Sequence, residues 1–125
     1  MFIDPSLRFN KVQGDERMRI IARHERMPTA FPAMSDIMAL GAVRALKDAG
    51  VRIPRDVSLV GLDDINLAQF ANPPLTTVRQ EKFAMGQAAA QLLVENLSAR
   101  VKAAPRKITL PTTLVIRDSV APPRR

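Results

Sequence analysis

Two apolar runs constrain this chain more than any other feature: residues 29–34 (TAFPAM) and 57–62 (VSLVGL), with a helix-periodic stretch between them. A run apolar on both faces suits a parallel strand covered by helices, so both runs are expected to be buried strands. Pro32 cannot donate to a sheet ladder, which places the first run at an edge or a distorted end. Ser35 and Asp36 offer an N-cap for the intervening helix, and Gly50 suits the position just past its end. The apolar face of that helix is expected at Ile37, Leu40, Val43 and Leu46. Strand, helix and strand within about thirty-five residues make one βαβ unit of a parallel, doubly wound α/β sheet.

The flanking segments extend this pattern. Residues 14–25 carry Met18, Ile21 and Ala22 at helical spacing, widened by Ile20, with Pro28 as a boundary. A loop rich in Asn and Pro follows the second run (66–74), then a short strand at 75–79. Residues 81–100 form a long Ala-rich helix with Met85, Ala88, Ala89, Leu92 and Leu97 on one stripe. Residues 107–117 (KITLPTTLVIR) read as extended, interrupted by Pro111, and the tail 120–125 is expected to fray.

At 125 residues the chain is one domain's worth of sequence. No apolar run approaches the roughly 20 residues that span a bilayer, and residues 1–9 lack the pattern of a secretory signal. The absence of cysteine rules out disulfides and thiolate metal sites and suits a reducing cytoplasm. The net charge of +7 invites a nucleic-acid reading, but the basic residues are scattered and there is no Trp or Tyr to stack on bases. The charge is therefore read as a solvated surface.

Asp36 follows the end of one strand and Asp63-Asp64 the end of the next, and ligands of open parallel sheets bind outside the carboxyl ends of the strands. These acids could accept hydrogen bonds from the hydroxyls of a neutral ligand, or hold Mg²⁺ for phosphoryl transfer. Asp36 could instead cap its helix. The metal reading lacks support, since neither GxxxxGK[ST] nor GxGxxG occurs. Nucleophilic catalysis lacks it too: there is no Cys, and His24, the single histidine, lies between charged neighbours on a helix. The chain is not expected to be an enzyme, to use a cofactor or to bind a metal.

Residues 28–80 (PTAFPAMSDIMALGAVRALKDAGVRIPRDVSLVGLDDINLAQFANPPLTTVRQ) and 110–119 (LPTTLVIRDS) resemble the effector-binding domain of the LacI/GalR family of transcriptional regulators. The resemblance spans roughly residues 9–119 and rests on the combination of motifs rather than on any one. It implies a two-lobed, periplasmic-binding-protein-like fold that closes on a sugar or a nucleobase. It implies that Asp63 hydrogen-bonds ligand hydroxyls, that Gln80 lines the ligand at the crossing between lobes, and that Phe9 packs against it. Ser35 stands where the family usually has Asn, which removes the paired donor and acceptor of an amide. Leu40, Phe70 and Ala71 match positions that pack across a two-fold dimer interface.

By the same resemblance, residues 1–79 form part of the second lobe, 80–107 a helix of the first lobe, and 108–125 the final strand and tail. The first lobe is then mostly absent, and DNA is reached only through a helix-turn-helix head not found in this sequence. The long helix would leave its apolar stripe wet, at about 0.8 kcal/mol per exposed CH₂. Burial by a second copy, through dimerisation or swapping, or a different packing is expected to relieve this. The expected function is that of an effector-binding, dimerising module of a cytoplasmic repressor. A periplasmic-type sugar-binding protein is the alternative, and less so a small Mg²⁺ enzyme using Asp36, Asp63 and Asp64.

Overall fold

Asn10 starts the first helix: its side chain accepts the Gln13 N–H at 3.0 Å, and helix α1 runs over Lys11–Ile21. The computed structural model describes residues 10–23, 27–98 and 104–123. The Asn10 cap places the helix start three residues ahead of its expected position at Gly14. Met18 is buried as its spacing requires, but Ile20 is 64% exposed and does not widen the stripe.

Strands β1 (Ala30–Pro32), β2 (Ser58–Leu62) and β3 (Thr76–Gln80) run parallel, and with β4 (Thr112–Val115) they form a sheet of order β1-β2-β3-β4. Pro32 ends an edge strand, as its missing N–H demands. That strand is not buried, however: Ala30 and Pro32 are exposed and only Phe31 packs partly against the core. An edge strand has a neighbour on one side only, which apolarity in the sequence does not reveal. β2 is the covered strand, with Ser58, Leu59 and Gly61 buried.

Helix α2 (Asp36–Asp48) connects β1 to β2 and presents a face other than the expected one. Ala39, Gly41, Ala42, Ala45 and Leu46 are buried, whereas Leu40 and Val43 are half-buried and Ile37 is exposed. The reason is close approach. A Cβ on Gly41 would collide with the Lys11 carbonyl and the Asp15 amide of α1, and one on Gly14 would collide with the Met38 carbonyl. Small residues let the two backbones meet, so the larger apolar side chains are displaced to the rim. Arg19 of α1 then ties the pair, bonding Asp15 at 2.8 Å and Asp48 of α2 at 2.5 Å. Leu46, Val57, Leu59 and Leu75 fill the interior with no solvent exposure, each contributing about 1.5–3 kcal/mol.

Between β2 and β3 the expected loop contains a short 3-10 helix, Asn66–Phe70, which seats Ala68 in the core. The chain's last segment is pinned rather than frayed as far as Ala121. Ser119 is buried: its Oγ donates to the Leu59 carbonyl (2.6 Å) and accepts the Thr76 N–H (2.8 Å). Ala121 N–H donates to Ser58 Oγ at 3.0 Å. Of the expected extended stretch 107–117, only Thr112–Val115 form a strand.

The chain divides into two compact units, Met1–Arg79 with Leu114–Arg125, and Gln80–Thr113. The second unit is built on helix α3 (Lys82–Ser98), none of whose residues is buried. Met85 is 51% and Leu97 77% exposed, so the apolar stripe is largely wet as expected, with only Ala88 and Leu92 half-buried. Arg106 pairs with Glu95 at 2.5 Å within this unit. Among the described residues no helix is long and apolar enough to cross a membrane.

Gly41→Ala should destabilise the first unit by about 1–3 kcal/mol, because the clash is with backbone that cannot rotate away. Gly86→Ala on α3, where a Cβ meets nothing, should be neutral or stabilise by up to about 1 kcal/mol. Urea unfolding midpoints of the two variants against the unsubstituted chain check both.

Candidate functional site

The parallel arrangement brings the carboxyl ends of β1 and β2 side by side. The pairing Pro32↔Val60 continues into an Ala33 N–H bond to the Val60 carbonyl at 2.8 Å. Ser35 and Asp36 leave β1 at this end, and Asp63 and Asp64 leave β2. Each acid has a different task.

Ser35 is the N-cap of α2, its Oγ accepting the Met38 N–H at 3.3 Å. Asp36 is therefore not the cap. It is the first helical residue, fully buried, and its two oxygens serve other elements: Oδ1 accepts from Thr77 Oγ1 of β3 (2.5 Å) and Oδ2 from the Ile65 N–H (2.9 Å). A carboxylate in the first turn also interacts favourably with the helix dipole. Gly61 leaves the room it needs, since a Cβ there would overlap Asp36 Oδ1. Asp36 has no solvent access, so the ligand role expected as its alternative is not open to it.

Asp63 and Asp64 take backbone φ values of 115° and 49°, two successive non-glycine residues in left-handed space. Such residues cost of order 1–3 kcal/mol each and persist only where their surroundings over-determine them. Here the Asp63 N–H donates to the Val78 carbonyl (2.9 Å) and the Asp64 N–H to Thr77 Oγ1 (3.4 Å). Asp64 then receives two guanidinium groups, Arg117 Nη2 on Oδ1 and Arg79 Nε on Oδ2, both at 2.7 Å. Arg117 also donates to the Leu75 carbonyl at 2.7 Å. The Arg117 hydrogen bond is the main influence that holds the Asp64 carboxyl below the usual range; burial opposes it and Arg79 adds to it.

Asp36 and Asp64, two of the three acids considered as Mg²⁺ ligands with Asp63, are thus engaged by protein donors. Among the described residues no group of three or more His, Cys, Asp or Glu could hold a metal ion. Asp63 and Ser35 remain half-buried at the strand ends. Gln80 closes β3, is half-buried, and belongs to the second unit. Phe9 and His24 lie outside the described residues. Phe70 ends the 3-10 helix 76% exposed, so it does not fold back onto its own unit, while Leu40 and Ala71 are half-buried. Thr77, Arg79 and Arg117 escaped the sequence reading. Arg117 lies 53 residues from Asp64, and no local pattern marks such a pair.

A family model described as a periplasmic binding protein-like domain matches residues 4–120. The HTH-type transcriptional repressor PurR of Haemophilus influenzae is 38% identical over 114 residues, covering 90% of this chain and 34% of the relative. Among solved structures, a transcriptional regulator CelR–cellobiose complex superposes with a TM-score of 0.83 at 36% identity, over 95% of this chain and 37% of that one. The lac repressor dimer bound to operator and the anti-inducer ONPF gives a TM-score of 0.79 at 33% identity, over 89% and 38%. The chain spans about a third of the length of the curated relatives it matches.

Two outcomes test this geometry. Asp36→Ala leaves Thr77 Oγ1 and the Ile65 N–H without their acceptor and should destabilise the fold by about 2–5 kcal/mol in chemical unfolding. Asp64 has a folded-state value below the ordinary carboxylate value of about 3.9. Its ion-pair stabilisation is complete above that ordinary value and fades as pH falls through the depressed one. In Asp64→Asn the loss of stability between about pH 5 and pH 2 should be shallower than in the unsubstituted chain, by thermal unfolding across that range.

Proposed function

Since this chain belongs to the periplasmic binding protein-like domain family, in its LacI-type branch, we propose that it is the effector-binding and dimerising part of a transcriptional repressor. The observation that carries this reading is Asp63. It stands at the carboxyl end of the covered parallel strand, in a backbone conformation that its neighbours hold in place. A carboxylate there accepts hydrogen bonds from the hydroxyls of a small neutral effector.

Ser35 adjoins Asp63 in the effector site in this reading. Ser35 spends one lone pair of its hydroxyl on the helix cap and keeps the rest of its hydrogen-bonding capacity. The effector is a sugar or a nucleobase, and a solved relative holding cellobiose favours the sugar. No chemistry is performed on it: the relative PurR is named a repressor, and Asp36 and Asp64 are bound to protein donors. Binding favours one arrangement of a two-lobed protein and so changes its affinity for operator. DNA contact is made by a helix-turn-helix head of the whole protein, in the cytoplasm where its operator lies.

Leu40, Phe70 and Ala71 form the dimer contact. An exposed Phe is costly to leave in water and is the type of residue that anchors interfaces. Helix α3 is assigned to the first lobe, and its exposed apolar side chains to burial against that lobe or a second copy of the chain.

Thermal unfolding of the chain with cellobiose, sucrose, adenine or hypoxanthine tests the reading. An effector present at a hundred times its Kd adds about 2.7 kcal/mol and should raise the midpoint by roughly 10 °C. Asp63→Ala should lower affinity for that compound by about tenfold or more. A chain whose midpoint no compound raises, or an Asp63→Ala variant that binds unchanged, defeats the proposal.

A further inference from the structure

We infer that Asp64 is a positioning residue for the effector acid: its carboxylate, gripped by Arg79 and Arg117, fixes the left-handed turn that presents Asp63 at the strand end. The inference rests on the reading of Asp63 as the effector-binding acid, but its structural half stands on separate observations. The turn departs from ordinary backbone at two consecutive residues, neither of them glycine. The backbone bonds of Asp63 and Asp64 hold the turn against β3 alone, at Val78 and Thr77. The side chain of Asp64 adds a second hold on β3, through Arg79, and a link to one further segment, through Arg117. Arg79 lies at the end of β3 and Arg117 in the segment laced to the start of the same strand.

The geometry is that of a brace. Arg117 is itself immobilised, because its backbone N–H donates to Thr76 Oγ1 at 2.9 Å and its carbonyl accepts from the same hydroxyl at 3.1 Å. Its guanidinium bridges the Leu75 carbonyl and Asp64, with a side chain only 18% exposed. Arg79 is half exposed and supplies the weaker arm. With the carboxylate neutralised, the turn loses its links to Arg79 and Arg117 and keeps only bonds to β3 and to Asp36 among those described, so it is freer to relax toward ordinary dihedrals and to swing the Asp63 carboxylate away from the strand end. A brace of this kind sets affinity without touching the effector, by removing the cost of ordering the acid at the moment of binding.

The test uses the 125-residue chain with Asp64→Asn and, as a milder variant, Arg79→Gln, which removes only the exposed arm. Amide hydrogen exchange monitored by NMR reads the turn without any ligand. Exchange at Asp63, Asp64 and Ile65 should quicken about tenfold or more in Asp64→Asn and by less in Arg79→Gln, with Leu59 and Val60 of β2 keeping their protection. Unchanged exchange at the turn, or a loss spread evenly over β2, overturns the inference. Where cellobiose raises the unfolding midpoint of the unsubstituted chain, its affinity should fall about tenfold in Asp64→Asn, and equal affinity in a folded variant also overturns it. If none of the four compounds binds the unsubstituted chain, the effector reading fails, and the brace is judged on exchange alone.

Discussion

The carboxylate of Asp36 is enclosed where three separate pieces of chain meet: the start of α2, the middle of β3 and the turn after β2. Burying a charge is costly unless every lone pair that matters finds a donor, and here a hydroxyl, a backbone N–H and a helix N-terminus share that duty. The rest of the first unit is arranged around the contact. Gly61 is small because Asp36 occupies the space above it, and Thr77 is a polar residue inside a sheet because it must donate to Asp36. Ile65 is held at the exit of the turn that carries Asp63 and Asp64. A shift of α2 along its axis would break all of these together, which makes the strand ends a stiff platform.

On that platform the two neighbouring acids divide their work. Asp64 is drawn into a pair of arginines, while the carboxylate of Asp63 lies at the half-buried strand end. Strain in the backbone between them is the physical sign of a constrained site. Two non-glycine residues keep such dihedrals only where surrounding bonds hold them, here those to Val78, Thr77, Arg79 and Arg117. Ser35 lies at the same strand ends and caps α2.

The second unit follows a different physics. Helix α3 is rich in alanine and leucine and forms by local propensity, yet none of its side chains is buried. Its stability therefore depends on what covers it more than on what it is made of. A chain that spans about a third of its relatives' length carries such a face without contradiction.

The order of strands and helices, the parallel βαβ unit and the placing of acids at strand ends were legible in the sequence, because apolar runs, helical spacing and cap residues are local signals. The site was legible in part: the sequence puts Ser35, Asp36, Asp63 and Asp64 at strand ends, but it left Asp36 open between cap and ligand when Ser35 is the cap and Asp36 is sealed, and Arg117 left no trace. Which face of α2 turns inward was also misjudged, since Ile37, Leu40 and Val43 are more apolar than the alanines that are buried. Burial there is decided by how closely two backbones approach at Gly14 and Gly41, a property of the pair and not of either helix. The sequence by itself determined the elements and the chemistry available at their ends. Only the tertiary structure decided that the Asp36 carboxylate is sealed and that the Asp64 carboxylate is paired with two arginines, because each depends on donors brought from 15 to 53 residues away.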